Sequence, residues 1–187
     1  MKRVLFSLFL TVSLLTGATA AREIAGVEMP DSRKAGNSDL LFNGGGRRTK
    51  FGMTVYVGAL YLSSRSNDPR AILAADEPMA IQLRITSGMV TSEKMESATR
   101  EGFENSLNGE TAPLRQSIED FIGVFREKIE KGDVYAFVYS PGKGTEVFKN
   151  GKVSKVIEKL DFKKALFGIW LCERPAQESL KREMLGL

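Results

Sequence analysis

The chain has 187 residues, with 27 lysines and arginines against 23 aspartates and glutamates, no histidine and one cysteine. A net charge of +4 with no basic stripe gives no footing for nucleic-acid binding. The missing histidine excludes imidazole acid–base catalysis and a His/Cys zinc site, and the lone Cys172 excludes an intrachain disulfide.

The chain opens with Lys2 and Arg3, an apolar run from Val4 to Leu15, and the small residues Ala18, Thr19 and Ala20. This is the pattern of a secretory signal peptide over residues 1–20, with cleavage before Ala21. The run falls short of the roughly 20 apolar residues that span a bilayer. It implies export, a periplasmic location and no stable membrane insertion once the signal is removed. Loss of Lys2 and Arg3 leaves 25 basic residues against 23 acidic ones. The remaining 21–187 segment has the size of one domain and suffices to enclose a small ligand.

A short strand is expected from Ile24 to Met29, stopped by Pro30 and Asp31, and another from Asp39 to Phe42. Met53 to Leu62 is apolar on both faces, with Val55, Val57 and Ala59 on one and Tyr56, Leu60 and Leu62 on the other, so both faces are covered. Asp68 and Pro69 begin a helical turn through Leu73, and Met79 to Ile85 alternates as a strand. Thr91 or Ser92 caps a helix whose inner side carries Met95, Ala98, Gly102 and Phe103. A second stripe, Leu114, Ile118, Phe121, Ile122, Phe125 and Ile129, has the helical period.

Strands follow from Val134 to Tyr139 and from Thr145 to Phe148. Asn150-Gly151 then marks a type I′ hairpin into Lys152 to Ile157. Asp161 to Leu171 reads as a helix with Phe162, Leu166, Ile169 and Trp170 on one face, and a burial position is expected for Cys172. Pro175 separates it from a last helix over Gln177 to Leu185. Meandering strands with clustered helices indicate an α+β fold, helices packed on an antiparallel sheet.

Gly44, Gly45 and Gly46 lack the lysine–serine/threonine ending of a P-loop and the spacing of a dinucleotide fingerprint. They read as backbone devices in a bulged strand. Arg48 follows them, a permanent cation suited to carboxylates, and the next strand supplies an apolar wall and a phenol. Eight residues separate Arg48 from Tyr56, roughly 26 Å along a straight strand. The two side chains meet only if the chain reverses between Thr49 and Gly52; otherwise Tyr61 or another donor must partner Arg48.

The run NGGGRR over 43–48 and the strand VYVGALYL over 55–62 resemble the signature of the chalcone isomerase-like family. The later series supports this: Tyr139 to Thr145, Asn150 to Lys152, Asp161-Phe162 through Trp170-Leu171, and Pro175 to Lys181. The order resembles the exported bacterial branch across 21–187. The resemblance implies an open-faced β-sandwich, a large antiparallel sheet packed by a layer of helices with a small accessory sheet. It also implies a ligand cleft between sheet and helices. By motif, Arg48 matches the family arginine. Tyr56 falls where the fatty-acid-binding branch has a tyrosine and the isomerases a catalytic threonine.

Ile169 occupies the position of a second isomerase threonine, and the isomerase helix tyrosine and asparagine have no counterparts between Ser92 and Leu107. Asn105 is nearby but out of register. Loss of these groups removes the network that would orient a flavonoid and stabilise an oxyanion. The resemblance therefore implies non-catalytic binding of a small amphipathic acid such as a fatty acid, with no cofactor or metal. Arg48 and Tyr56 would hold the carboxylate, with Val55, Val57, Leu60, Tyr61, Phe103, Leu107 and Ile169 around the chain. The alternatives are an intramolecular lyase or isomerase using Arg48 and Tyr56, and a structural or protein-interaction module with a closed cleft.

Overall fold

The computed structural model describes residues 21–187; the expected signal peptide lies outside them. Nine strands and five α-helices follow one another: β1 (Ala21–Ile24), β2 (Val27–Pro30), β3 (Ser32–Ala35), β4 (Ser38–Lys50), β5 (Met53–Leu62), α1 (Pro69–Ala74), β6 (Met79–Ile85), α2 (Ser92–Ser106), α3 (Arg115–Ile122), β7 (Val134–Ser140), β8 (Gly144–Lys149), β9 (Lys152–Ile157), α4 (Leu160–Leu171) and α5 (Glu178–Met184). Strands β3 to β9 form one seven-stranded antiparallel meander in chain order, and β1 pairs with β2 in a small second sheet.

The meander buries both faces, as the doubly apolar β5 requires. Tyr56, Leu60 and Leu62 face the helices, where they join Phe103, Phe121, Phe137, Phe162 and Trp170 in the larger core. Val57, Ala59 and Tyr61 face the other way, into a smaller core with Met29 of β2 and Leu40 and Phe42 of β4.

Several local expectations change. The single strand from Ile24 to Met29 is two strands, because Ala25 and Gly26 take φ of 50° and 77° and reverse the chain between Ile24 and Val27. Strand β4 does not stop before the glycines but runs 13 residues through them. Gly44 and Gly46 make room on the helix side. A Cβ on Gly44 would lie 2.2 Å from the carbonyl oxygen of Glu183, and the C-terminal end of α5 sits directly on the β4 backbone. The side chain of Asn43 secures the same end, donating to the Met184 carbonyl at 2.9 Å.

The stripe from Leu114 to Ile129 is not one helix. A 3₁₀ turn precedes α3, another spans Gly123–Arg126, and Ile129 lies in the chain beyond. Its residues are nonetheless buried, since short 3₁₀ turns keep roughly the same face inward. Cys172 caps the C-terminus of α4 and is half-buried rather than buried, because the helix ends there and its backbone turns extended.

A charged side chain is also wholly buried beside the larger core. Lys163 of α4 is fully buried, and its ammonium donates to the carbonyls of Ile72, Leu73 and Ala75 at 3.1, 3.1 and 2.6 Å. Three donors thus meet the carbonyls left unpaired at the end of α1.

Candidate functional site

The chain reverses between Lys50 and Met53 through a two-residue turn in which Phe51 and Gly52 have φ of 51° and 77°. Positive φ at both central residues is the type I′ arrangement that suits the twist of a hairpin. The reversal brings Arg48 into register with Tyr56, and the Arg48 guanidinium carbon lies 5.7 Å from the centre of the Tyr56 ring. The condition that residue spacing placed on this pair is met. A register irregularity between Arg48 and Thr49 bends the strand at the same point.

Tyr56 is 3% exposed, and its hydroxyl oxygen accepts a hydrogen bond of 2.9 Å from the indole Nε1 of Trp170 on α4. Indole nitrogen only donates, so the phenol proton of Tyr56 remains available to an acceptor. Trp170 is fixed by a stacked contact with Phe137, ring centres 5.8 Å apart. Arg48 is half-buried and, among the described residues, forms no salt bridge and no side-chain hydrogen bond. A cation without a partner anion and a phenol with a free proton therefore stand side by side.

They border a cavity of about 370 Å³ between the β4–β5 hairpin and the first turns of α2. Val55, Met89, Val90, Met95 and Ala98 form its apolar wall, and Lys50, Glu93, Lys94 and Glu101 stand around it. With Arg48 this makes three cations against two carboxylates. Glu93 is held below the usual carboxylate range by its backbone amide at the helix start and by the Thr91 hydroxyl, so it stays ionised.

Behind Arg48 and Tyr56 the space narrows to a recess of about 20 Å³, bordered by Thr99, Phe125, Phe137, Ile169 and Trp170. That volume holds about one water molecule and no acyl chain. Two glycines account for the closure. A Cβ on Gly102 of α2 would lie 2.7 Å from Ile169, and one on Gly168 of α4 would lie 1.9 Å from the Ser106 hydroxyl. The two helices pack backbone against side chain at both points, and the deep space between sheet and helices is filled.

The nine residues singled out from sequence therefore separate. Arg48, Val55 and Tyr56 line the cavity, and Ile169 reaches the recess. Leu60 and Phe103 are fully buried core residues, Phe103 packing against Phe121 and Phe162. Leu107 caps the far end of α2, about 18 Å along the axis from Met95. Val57 and Tyr61 face the opposite core because side chains alternate along β5, so neither borders the cavity. Tyr61 packs edge-on to Phe42, and burial pushes its hydroxyl up to about 12 against the opposing pull of the Arg33 charge.

Met89, Val90, Met95, Ala98 and Thr99 border the site and were not singled out. Met95 and Ala98 had a signal, since the sequence puts them three residues apart on the inner side of α2. Met89 and Val90 lie in the connection before the helix and had none.

A second and larger groove, of about 940 Å³, runs between α3 and the β8–β9 hairpin. Five basic and five acidic side chains line it, several paired with one another, as Lys155 is with Asp120 at 3.4 Å and Lys149 with Glu127 at 3.2 Å. A balanced and internally paired lining offers no charge to select a ligand.

A family model described as chalcone isomerase-like matches residues 21–186. Among solved structures, a fatty-acid binding protein from Arabidopsis thaliana is similar, with 18% identity and a TM-score of 0.70. The superposition covers 86% of this chain and 92% of that one. The likeness is one of fold: a curled antiparallel sheet, a helix layer and a small second sheet. No curated protein matches the chain.

Proposed function

This chain belongs to the chalcone isomerase-like family, matched over residues 21–186, and we propose that it is a non-catalytic binder of a small amphipathic acid, a fatty acid in the first instance. The observation that carries the reading is the pair described above. Arg48 has no salt bridge among the described residues, and Tyr56 keeps a free hydroxyl proton because Trp170 already donates to its oxygen. A carboxylate satisfies both groups at once, one oxygen on the guanidinium and one on the phenol. The apolar wall of Val55, Met89, Val90, Met95 and Ala98 receives the chain. A volume of about 370 Å³ falls in the range of small-molecule sites. The Arabidopsis neighbour, named as a fatty-acid binding protein, supports the ligand class.

The narrowness of the recess supports one direction of binding. The chain runs outward along α2 toward the hairpin rather than inward between sheet and helices. Titration calorimetry with a long-chain acid and with the matching alcohol tests the reading. Arg48→Ala is expected to weaken the acid more than about tenfold, the scale of a lost charge-assisted hydrogen bond, and the alcohol little. Equal losses for the two ligands would overturn the role of Arg48.

The narrow recess, too small for an acyl chain, favours a second reading, a protein-interaction module that carries no ligand. Mass spectrometry of an organic extract of the purified protein separates the two, since a bound acid supports the first and an empty extract the second. We also assign the chain to the exported bacterial branch, with residues 1–20 as a cleaved signal and a periplasmic destination. A protein N-terminus at Ala21 in the periplasmic fraction is the expected result, and an intact Met1 in the cytoplasm would reject it. No helix among the described residues is long and apolar enough to cross a membrane.

A further inference from the structure

The tip of the β4–β5 hairpin carries two of the most exposed large apolar side chains among the described residues: Phe51 is 82% exposed and Met53 48%. Phe51 also sits at φ of 51°, the left-handed region in which a bulky aromatic is out of place. Asparagine, aspartate and glycine are the residues that suit this turn position. Here a costly residue is held in a costly conformation, and no packing offsets the cost. Strain retained without a structural return points to a use outside the fold.

The surroundings identify the kind of surface. Lys50 is exposed next to Phe51, Arg47 is exposed further back along β4 opposite Val57, Arg48 is half-buried, and Lys94 stands across the cavity on α2. Glu93 and Glu101 are the opposing carboxylates at this end, and the carboxylate of Glu183 is engaged with the Arg47 backbone amide at 3.2 Å. A convex tip of two apolar side chains flanked by cations matches an anionic bilayer, which offers an apolar interior beneath a negatively charged surface. A second copy of the chain fits poorly, because mating two such tips brings like charges together.

Phe51 also lines the cavity, so a bilayer touching the tip would be continuous with the apolar wall of the site. We propose that the β4–β5 hairpin tip docks on anionic lipid surfaces, seating the mouth of the cavity at the membrane. The docking surface stands on its own observations; its use for loading an acid rests on the binding function proposed above.

The test uses residues 21–187, which contain every strand and helix among the described residues and span the family match. Co-sedimentation with phosphatidylcholine vesicles, with and without phosphatidylglycerol, is expected to show binding that requires phosphatidylglycerol and falls with salt. Phe51→Asn removes the ring and supplies a residue suited to the turn, so folding is retained while vesicle affinity falls about tenfold. Lys50→Gln is expected to lower it about fivefold.

Absence of phosphatidylglycerol-dependent binding, or binding unchanged by Phe51→Asn, would overturn the proposal. So would self-association in the ultracentrifuge that Phe51→Asn abolishes. Met53 lies outside the cavity lining, so Met53→Ser is expected to weaken vesicle binding and leave the affinity for dissolved acid unchanged. Vesicle binding without acid binding keeps the docking surface and rejects the ligand; acid binding without vesicle binding does the reverse.

Discussion

The β8–β9 and β4–β5 hairpins reverse the chain on nearly the same backbone. Asn150 and Gly151 have φ of 50° and 80°; Phe51 and Gly52 have 51° and 77°. In the first, the residue serves the turn. Asn150 tolerates the left-handed region, its side-chain oxygen accepts from the Val134 amide at 2.8 Å, and its amide nitrogen donates to Asp133 at 2.9 Å. In the second, the residue opposes the turn. Phe51 tolerates the region poorly and is left in solvent. The glycine and the strand register hold the second hairpin closed without help from Phe51. The difference teaches where to look for function. A turn built from residues that suit it needs no further account, whereas one that carries an unsuitable residue on an intact scaffold does.

That comparison breaks most severely at Asn150. Asn150→Phe places an aromatic in the left-handed region and leaves the Val134 amide without its acceptor. Urea denaturation is expected to show a loss of about 2–3 kcal/mol. The shared demand on the glycines comes next. Gly52→Ala and Gly151→Ala each cost about 1 kcal/mol, and the two losses should agree closely, because an added Cβ meets nothing within 4 Å at either site. Unequal losses would mean that the two turns do not share one constraint.

A smaller effect of opposite sign is expected at the other tip. Phe51→Asn stabilises by about 0.5–1 kcal/mol, read as a higher midpoint in the same urea series. A destabilised Phe51→Asn protein would show that the ring supports the fold after all. Met53→Ser, on an exposed strand start, should move stability by less than about 0.5 kcal/mol.

Much of this structure was legible in the chain, and the pattern of what was not is physical. The Asn150-Gly151 hairpin follows from residues that encode their own geometry. The Phe51-Gly52 hairpin was only a condition that Arg48 and Tyr56 imposed, because phenylalanine carries no turn signal. Ala25-Gly26 was missed for the same reason. The period of the Leu114 to Ile129 stripe identified the buried residues but not the 3₁₀ turns at Ala112–Leu114 and Gly123–Arg126, since both geometries keep similar spacings on one face. Arg48, Val55 and Tyr56, grouped from residue chemistry and the family resemblance, fall together along the cavity. Val57 and Tyr61 were grouped with them although alternation along β5 sends them to the other core.

The amino-acid sequence alone determined the α+β class, the doubly covered strand β5 and the helix faces, and it offered a cation and a phenol that only a chain reversal could bring together. Each of these depends on period, residue type or short-range order, which act within a few residues. Tertiary structure decided where the open space lies. Gly102 against Ile169 and Gly168 against Ser106 bring α2 and α4 together and close the deep cleft, leaving the open volume beside the hairpin. Those contacts join positions more than 60 residues apart, and the space they leave depends on how closely two backbones approach, which no local pattern records.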